Sequence, residues 1–379
     1  MRAPDPIPLL IPDMPGAAAL MPYLQRMDAA RCYTNFGPLV QDLEQALRQR
    51  FADAGDAEVS LTTVGNATLG LELALQALAL PPGSRVLVPA LTFVATASAI
   101  IRAGHVPVVA DIEIDSWQLS PRLAEQALQT VPCQAVLPVA TFGVAQDMPG
   151  WQAFEARTGC KVVVDAASAW GNQWLQGVSG TLVFSLHTTK SLPAGEGGVL
   201  ISSDTQLVRR VRRLSNFGIY TTPSANGPPA YSSLDGTNAK MSEYHAAVAL
   251  ASLARWPQAA QQRQQLYRDY QQDLEKAAPG QLGWQCGTPV AAPTLMCVRL
   301  PSASVRRRLE ALCAEQNIMT RRWYQPLLNR QGFPVRVDAR LATPHADQVA
   351  DTLLGLPFYP GLTLEHRQRI AAVVQQALS

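Results

Sequence analysis

Short apolar runs alternate with helix-length amphipathic stretches along most of the chain, and this alternation predicts its elements. Strands are expected over residues 85–89, 106–111, 134–140, 162–164, 181–186 and 199–201, which read as buried and mostly parallel. Helices are expected over 39–51, where Leu39, Leu43, Ala46 and Leu47 share one face, and over 69–80, stopped by Pro81-Pro82-Gly83. Further helices follow Phe93 up to Gly104, then span 121–130, surround 151–157 and cover 205–214. Strands that alternate with helices call for right-handed crossovers and one mainly parallel sheet. A loop rich in glycine, proline and serine over 218–236 precedes an alanine-rich helix, capped by Ser242 and broken at Trp256-Pro257. Beyond it the pattern gives a long helix to about 277, a strand over 294–300, a helix over 305–316, a strand over 353–356 and a helix over 364–378. The expected fold is therefore α/β. A large domain (23–255), its sheet sandwiched by helices, is followed by a smaller α/β domain (256–379). The six prolines of residues 1–22 point to an extended arm outside the core.

Chemistry concentrates between Lys161 and Ser203. The strand at 162–164 ends on the carboxylate of Asp165. The next strand delivers Ser185, His187 and Lys190, and Gly195-Glu196-Gly197-Gly198 turns the chain into the third. Ligands of α/β sheets collect at the carboxyl ends of strands, so Asp165 and Lys190 can meet in one pocket. That pair suits pyridoxal phosphate: the lysine forms a Schiff base, and the aspartate keeps the pyridinium nitrogen protonated. Spacing alone leaves a second reading open, in which Asp165 caps a helix and Lys190 is a solvated loop lysine.

Composition narrows the choice. The chain has only four lysines, Lys161, Lys190, Lys240 and Lys276. Lys161 precedes a strand and Lys276 lies in a polar helix, which leaves Lys190 and Lys240. A net charge of +2 over 379 residues gives no reason to expect nucleic acid. Six scattered cysteines lack metal-ligand spacing, so no metal is expected and a reducing cytoplasm suits them. The N-terminus lacks the pattern of a signal peptide, and no apolar run approaches the ~20 residues of a membrane span. Upstream, Gly65-Asn66-Ala67-Thr68 opens a helix whose free amides suit a phosphate, although Asn66 or Thr68 would equally serve as a cap. Phe93, just past a strand, is placed either to stack on a flat ring or to pack in the core. The arginines at 209, 210, 212 and 213 read as a solvated helix face.

With these residues laid out, the chain resembles the PLP-dependent sugar aminotransferases of the DegT/DnrJ/StrS type, which have the aspartate-aminotransferase-like fold. The resemblance runs from about Tyr33 to the C-terminus. It rests on Asn35-Phe36-Gly37-Pro38-Leu39, Gly65-Asn66-Ala67-Thr68, the stretch from Val88 to Thr96, Ser185 to Lys190 with Gly195 to Gly198, Gly236 to Glu243, and Leu356 to Gly361. It implies that Lys190 carries the cofactor and that Asp165 partners the pyridine nitrogen. Thr68, the amides around Ala67, and Ser185 would bind the phosphate, and Phe93 would stack on the ring. Asn238 would reach the cofactor of a neighbouring subunit in a homodimer with shared sites, which makes Lys240 structural. Ser168 stands where the family usually has a glutamine that bonds the cofactor hydroxyl, and Trp170 where many members have histidine.

The implied activity is transfer of an amino group from an amino acid, usually glutamate, to a nucleotide-linked ketosugar, with pyridoxamine phosphate as the intermediate cofactor form. His187, Arg321 and Tyr324 are candidate substrate contacts. Transamination of a non-nucleotide ketone such as a cyclitol, PLP-dependent sugar dehydration, and a catalytically silent partner subunit are the competing readings. Lysine rather than histidine at position 190 argues against dehydration.

Overall fold

The computed structural model describes residues 5–219, 236–287, 291–332 and 338–379. In chain order, helices α1 (Ala17–Ala30) and α2 (Pro38–Asp53) lead to β1 (Ser60–Val64) and α3 (Ala67–Ala77). Then come β2 (Arg85–Pro89), α4 (Val94–Arg102), β3 (Val106–Ala110), α5 (Pro121–Thr130), β4 (Ala135–Val136) and α6 (Met148–Thr158). The segments β5 (Lys161–Val162), β6 (Val164–Asp165), β7 (Thr181–Ser185) and β8 (Gly198–Ser202) precede α7 (Thr205–Leu214), α8 (Glu243–Ala254) and α9 (Trp256–Ala277). The chain closes with β9 (Met296–Arg299), α10 (Ala303–Glu315), α11 (Pro344–Thr352), β10 (Leu353–Leu356) and α12 (Leu364–Leu378).

Two ladders, β3-β2-β4-β5 and β6-β7-β8-β1, continue into each other, because β5 and β6 are successive pieces of one extended run. Main-chain bonds from Val163 to Val136 and from Asp165 to Pro138 carry the pairing across the break. Every neighbouring pair is parallel except those that β8 makes with β7 and β1. The reason is the connection: β7 returns to β8 through a glycine turn instead of a crossover helix, and only an antiparallel partner can be reached that way. Gly195 supplies the positive φ, +82°, that this turn needs.

Both faces of the sheet are covered, and alternation along the strands divides the core in two. On β2, Leu87 packs with α2, α5, α6 and α8, while Val86 and Val88 face α3, α4 and α7. On β7, Leu182 and Phe184 take the first side and Val183 the second. A third core gathers α9, α10, α12 and the antiparallel pair β9–β10.

Several expectations need correction. Residues 60–64 form a strand that the hydroxyl-rich sequence concealed. Its Thr62 and Thr63 are fully buried, and Thr63 gives its amide and hydroxyl to Glu44. The N-terminal segment is not outside the core. Ile7 is fully buried among the residues of the third core and bridges Ile318, and Leu9 accepts a bond from the Phe358 amide at 2.9 Å. Its last part is helical rather than extended, since α1 starts at Ala17 and contains Pro22. Among the α7 arginines, Arg212 turns inward to pair with buried Glu44 at 2.8 Å and to cover the Phe36 ring at 3.8 Å. Most of the loop expected over 218–236, residues 220–235, lies outside the described residues.

Candidate active site

The carboxyl ends of β2, β6 and β7 open on one cavity of about 730 Å³, a size typical of small-molecule sites. Ala67, Thr68, Phe93, Asp165, Ser168, Ser185, His187, Lys190, Arg321 and Tyr324 all line it. Asn238 does not. It is exposed on the surface, where its side chain accepts a bond from Lys240 at 2.8 Å. Lys240 in turn lies 4.6 Å over the exposed Phe217 ring, away from the cavity.

Asp165 ends β6 and is 5% exposed. Thr96 donates its hydroxyl to Oδ2 at 2.8 Å, and the Ala167 amide donates to Oδ1 at 3.1 Å. Burial pushes this carboxyl above its ordinary range. The Thr96 bond, the Ala167 bond and the charge of Lys190 pull it back toward ionisation. Lys190 sits in the β7–β8 connection and donates to Ser168 Oγ at 2.9 Å. The surrounding protein draws its pKa down by desolvation, opposed by the charge of Asp165. Neither residue behaves as its plainer reading required, for Asp165 caps no helix and Lys190 faces the cavity.

The N-terminus of α3 also lines the cavity. Asn66 is its cap, accepting from the Leu69 amide at 2.9 Å, so the first amides, of Ala67 and Thr68, are left without intrahelical acceptors. Gly198 makes this approach possible. A Cβ there would come within 2.7 Å of the Asn66 carbonyl carbon and 2.8 Å of the Ala67 nitrogen. Ser185 Oγ adds a hydroxyl beside these amides, already accepting from the His187 amide at 3.2 Å. The donor set suits a flat group with an anionic end, a basic ring nitrogen and an electrophilic carbon, so pyridoxal phosphate fits.

The remaining wall is aromatic. Tyr324 stacks on Phe142 with ring centres 5.4 Å apart and lies 6.0 Å from Phe93, which is 52% exposed. Arg321 stacks on Trp323 at 4.6 Å. His187 bonds the Thr189 hydroxyl through Nδ1 at 2.9 Å and has Glu196 3.7 Å from Nε2. Sequence reasoning missed Leu10, which the N-terminal segment brings to the cavity, and Thr92 and Thr96, which stand behind Asp165. The sequence offered only their spacing, four residues apart around Phe93 in the stretch that follows β2.

Among the described residues, no helix is long and apolar enough to cross a membrane. The model of the DegT/DnrJ/EryC1/StrS aminotransferase family matches residues 17–375. The chain is 32% identical over 373 residues to the dTDP-4-amino-4,6-dideoxy-D-glucose transaminase of Escherichia coli, with 95% of each chain covered. A Bacillus cereus structure assigned as a PLP-dependent aminotransferase superposes with a TM-score of 0.86 at 28% identity, covering 98% of this chain and 100% of that one. DesI, solved in the presence of its TDP-sugar product, gives 0.84 at 27% identity, with 99% and 94% covered. A family match of that extent decides the matter: the chain belongs to the DegT/DnrJ/EryC1/StrS aminotransferase family and is a PLP-dependent aminotransferase.

Proposed function

We propose that the chain transfers an amino group from an amino acid, glutamate, to a nucleotide-linked ketosugar and releases an amino sugar. The observation that carries this reading is the meeting of Lys190, Asp165 and the α3 N-terminus in one cavity of a family aminotransferase. The E. coli transaminase acts on a dTDP-linked sugar by its name, and DesI was solved with a TDP-sugar. When bound, pyridoxal phosphate takes up the amino group and spreads the electron pair left at the substrate carbon.

The roles of this chain's residues follow from their chemistry. Lys190, its pKa lowered by desolvation, would hold the cofactor and would serve as the acid and base that moves the proton at the substrate carbon. Asp165 keeps the ring nitrogen protonated through a charge-assisted bond. The amides of Ala67 and Thr68 with the Ser185 hydroxyl receive the phosphate, and Phe93 covers the ring. Ser168, bonded to Lys190 Nζ at 2.9 Å, would serve the cofactor hydroxyl. Arg321 supplies a cation at the mouth that suits a diphosphate, while His187 and Tyr324 contact the sugar. Purified protein should be yellow and bleach with glutamate. Mass analysis of products from a panel of nucleotide-ketosugars should then show replacement of a ketone by an amine. A colourless protein, or one that aminates only non-nucleotide ketones, would overturn this assignment.

The same reading includes a homodimer with shared sites, working in the cytoplasm, to which six free thiols are suited. Asn238 is exposed beside the solvent-facing ring of Phe217, a surface of the kind that partners bury. If Asn238 serves the partner's cofactor, inactive Lys190→Ala and impaired Asn238→Ala subunits should complement when mixed. Random exchange of equal amounts restores up to about a quarter of wild-type activity with independent sites, because a two-fold interface pairs the intact residues in one site. An impaired Asn238→Ala parent that gives no recovery, with exchange confirmed by native mass spectrometry, would remove Asn238 from the partner's site.

A further inference from the structure

Thr96 lies in the first turn of α4, wholly buried, and takes no part in capping that helix, whose N-cap is Phe93. Its hydroxyl lies 2.8 Å from Asp165 Oδ2 and 2.9 Å from the hydroxyl of Thr92, itself 1% exposed. A carboxylate only accepts, and a hydroxyl has one proton to give. With Asp165 ionised, the direction of the chain is therefore fixed. Thr92 donates to Thr96, and Thr96 donates to Asp165. The Ala167 amide takes the other oxygen, so the carboxylate is held at both ends and keeps free lone pairs for the cavity.

We propose that Thr96 is a positioning residue for transamination, its hydroxyl, oriented by Thr92, fixing the Asp165 carboxylate and holding it in the charged form. The proposal rests on the reading that Asp165 partners the ring nitrogen. The nitrogen and the carboxylate share one proton, and the donor behind the carboxylate helps decide which of them keeps it. Burial favours the neutral acid, which would leave the ring unprotonated. The Thr96 bond opposes that outcome, as does the Ala167 amide on the other carboxylate oxygen.

The test compares three variants as holoenzymes. Thr96→Val keeps the shape and removes the hydroxyl, Thr96→Ser keeps the hydroxyl, and Asp165→Asn removes the charge. The absorption spectrum of bound pyridoxal phosphate reads ring protonation independently of turnover. Thr96→Val should move that spectrum toward the Asp165→Asn spectrum and lower kcat roughly 10- to 100-fold, as expected for loss of a bond to a charged group. Thr96→Ser should keep both near wild type. A Thr96→Val protein with wild-type spectrum and kcat, beside an altered Asp165→Asn, would overturn the role of Thr96 alone. An Asp165→Asn protein that matches wild type in both would overturn the reading beneath it. Should the valine variant fail to fold, Thr96→Ala removes the same hydroxyl without overfilling the site, and the same outcomes apply.

Discussion

Replacing Lys190 by alanine is expected to abolish turnover and the visible absorbance of the bound cofactor while the fold survives. The side chain makes one hydrogen bond, to Ser168, and faces a cavity, so its removal breaks no packed layer. Desolvation lowers its pKa, so truncation also relieves a cost of burying charge. Loss of the proton carrier alone should slow the reaction on the order of 10²–10⁴-fold, and loss of covalent attachment adds to that. Borohydride reduction of wild-type protein followed by peptide mapping checks the assignment directly. The pyridoxyl label should fall on Lys190. The competing site is poorly placed: Lys240 is bonded to Asn238 and lies over Phe217 outside the cavity. Lys161 is paired with Glu155 at 2.7 Å, and Lys276 is exposed at the end of α9. A label found on Lys240 would remove Lys190 from the mechanism.

Much of this site could be read before any coordinates, for a physical reason. Where a residue's position depends on the end of its own strand, local pattern suffices. Spacing alone left the roles of Asp165 and Lys190 open, and the family resemblance supplied them. β2 and α5 fall over 85–89 and 121–130, where the sequence pattern places them, and Asp165 and Ser185 inherit their positions from strand ends. Where the role depends on contact across the chain, pattern fails. Thr96 meets Asp165 from 69 residues away, and its neighbours in sequence give no sign of that partner. β1 was concealed because its hydroxyls look solvent-facing, yet Glu44, 19 residues upstream, satisfies Thr63 inside the core. The N-terminal segment misled in a similar way. Its prolines suggest an outlying extended arm, but Ile7 and Leu9 still find main-chain partners at Asn317 and Phe358, and Pro22 lies inside α1. The same contacts bring Leu10 to the cavity, so a wall of the site comes from a stretch that reads as an outlying arm.

Asp165→Asn is expected to retain folded protein and bound cofactor but to lose most of its activity. The amide is nearly isosteric. Its oxygen can still accept from Ala167, and the Thr96 hydroxyl can rotate to accept from the new NH₂ group. The substitution leaves the proposed phosphate donors at the α3 N-terminus and the proposed attachment at Lys190 untouched, so affinity should fall far less than rate. On the proposed assignment, what would disappear is the negative charge that partners the ring nitrogen, in a site where Asp165 is only 5% exposed. In such a poorly solvated place a preorganised charge stabilises the developing carbanion far more than it would in water. Its loss should lower kcat on the order of 10²–10³-fold, with smaller changes in KM for either substrate, since the charge acts mainly on the transition state. Stopped-flow measurement of the glutamate half-reaction isolates this step from ketosugar binding. The bound-cofactor spectrum should at the same time take the form of an unprotonated ring. If the asparagine variant bleaches with glutamate at the wild-type rate, the carboxylate has no part in the proton transfer, and its burial beside Lys190 must be explained by packing alone.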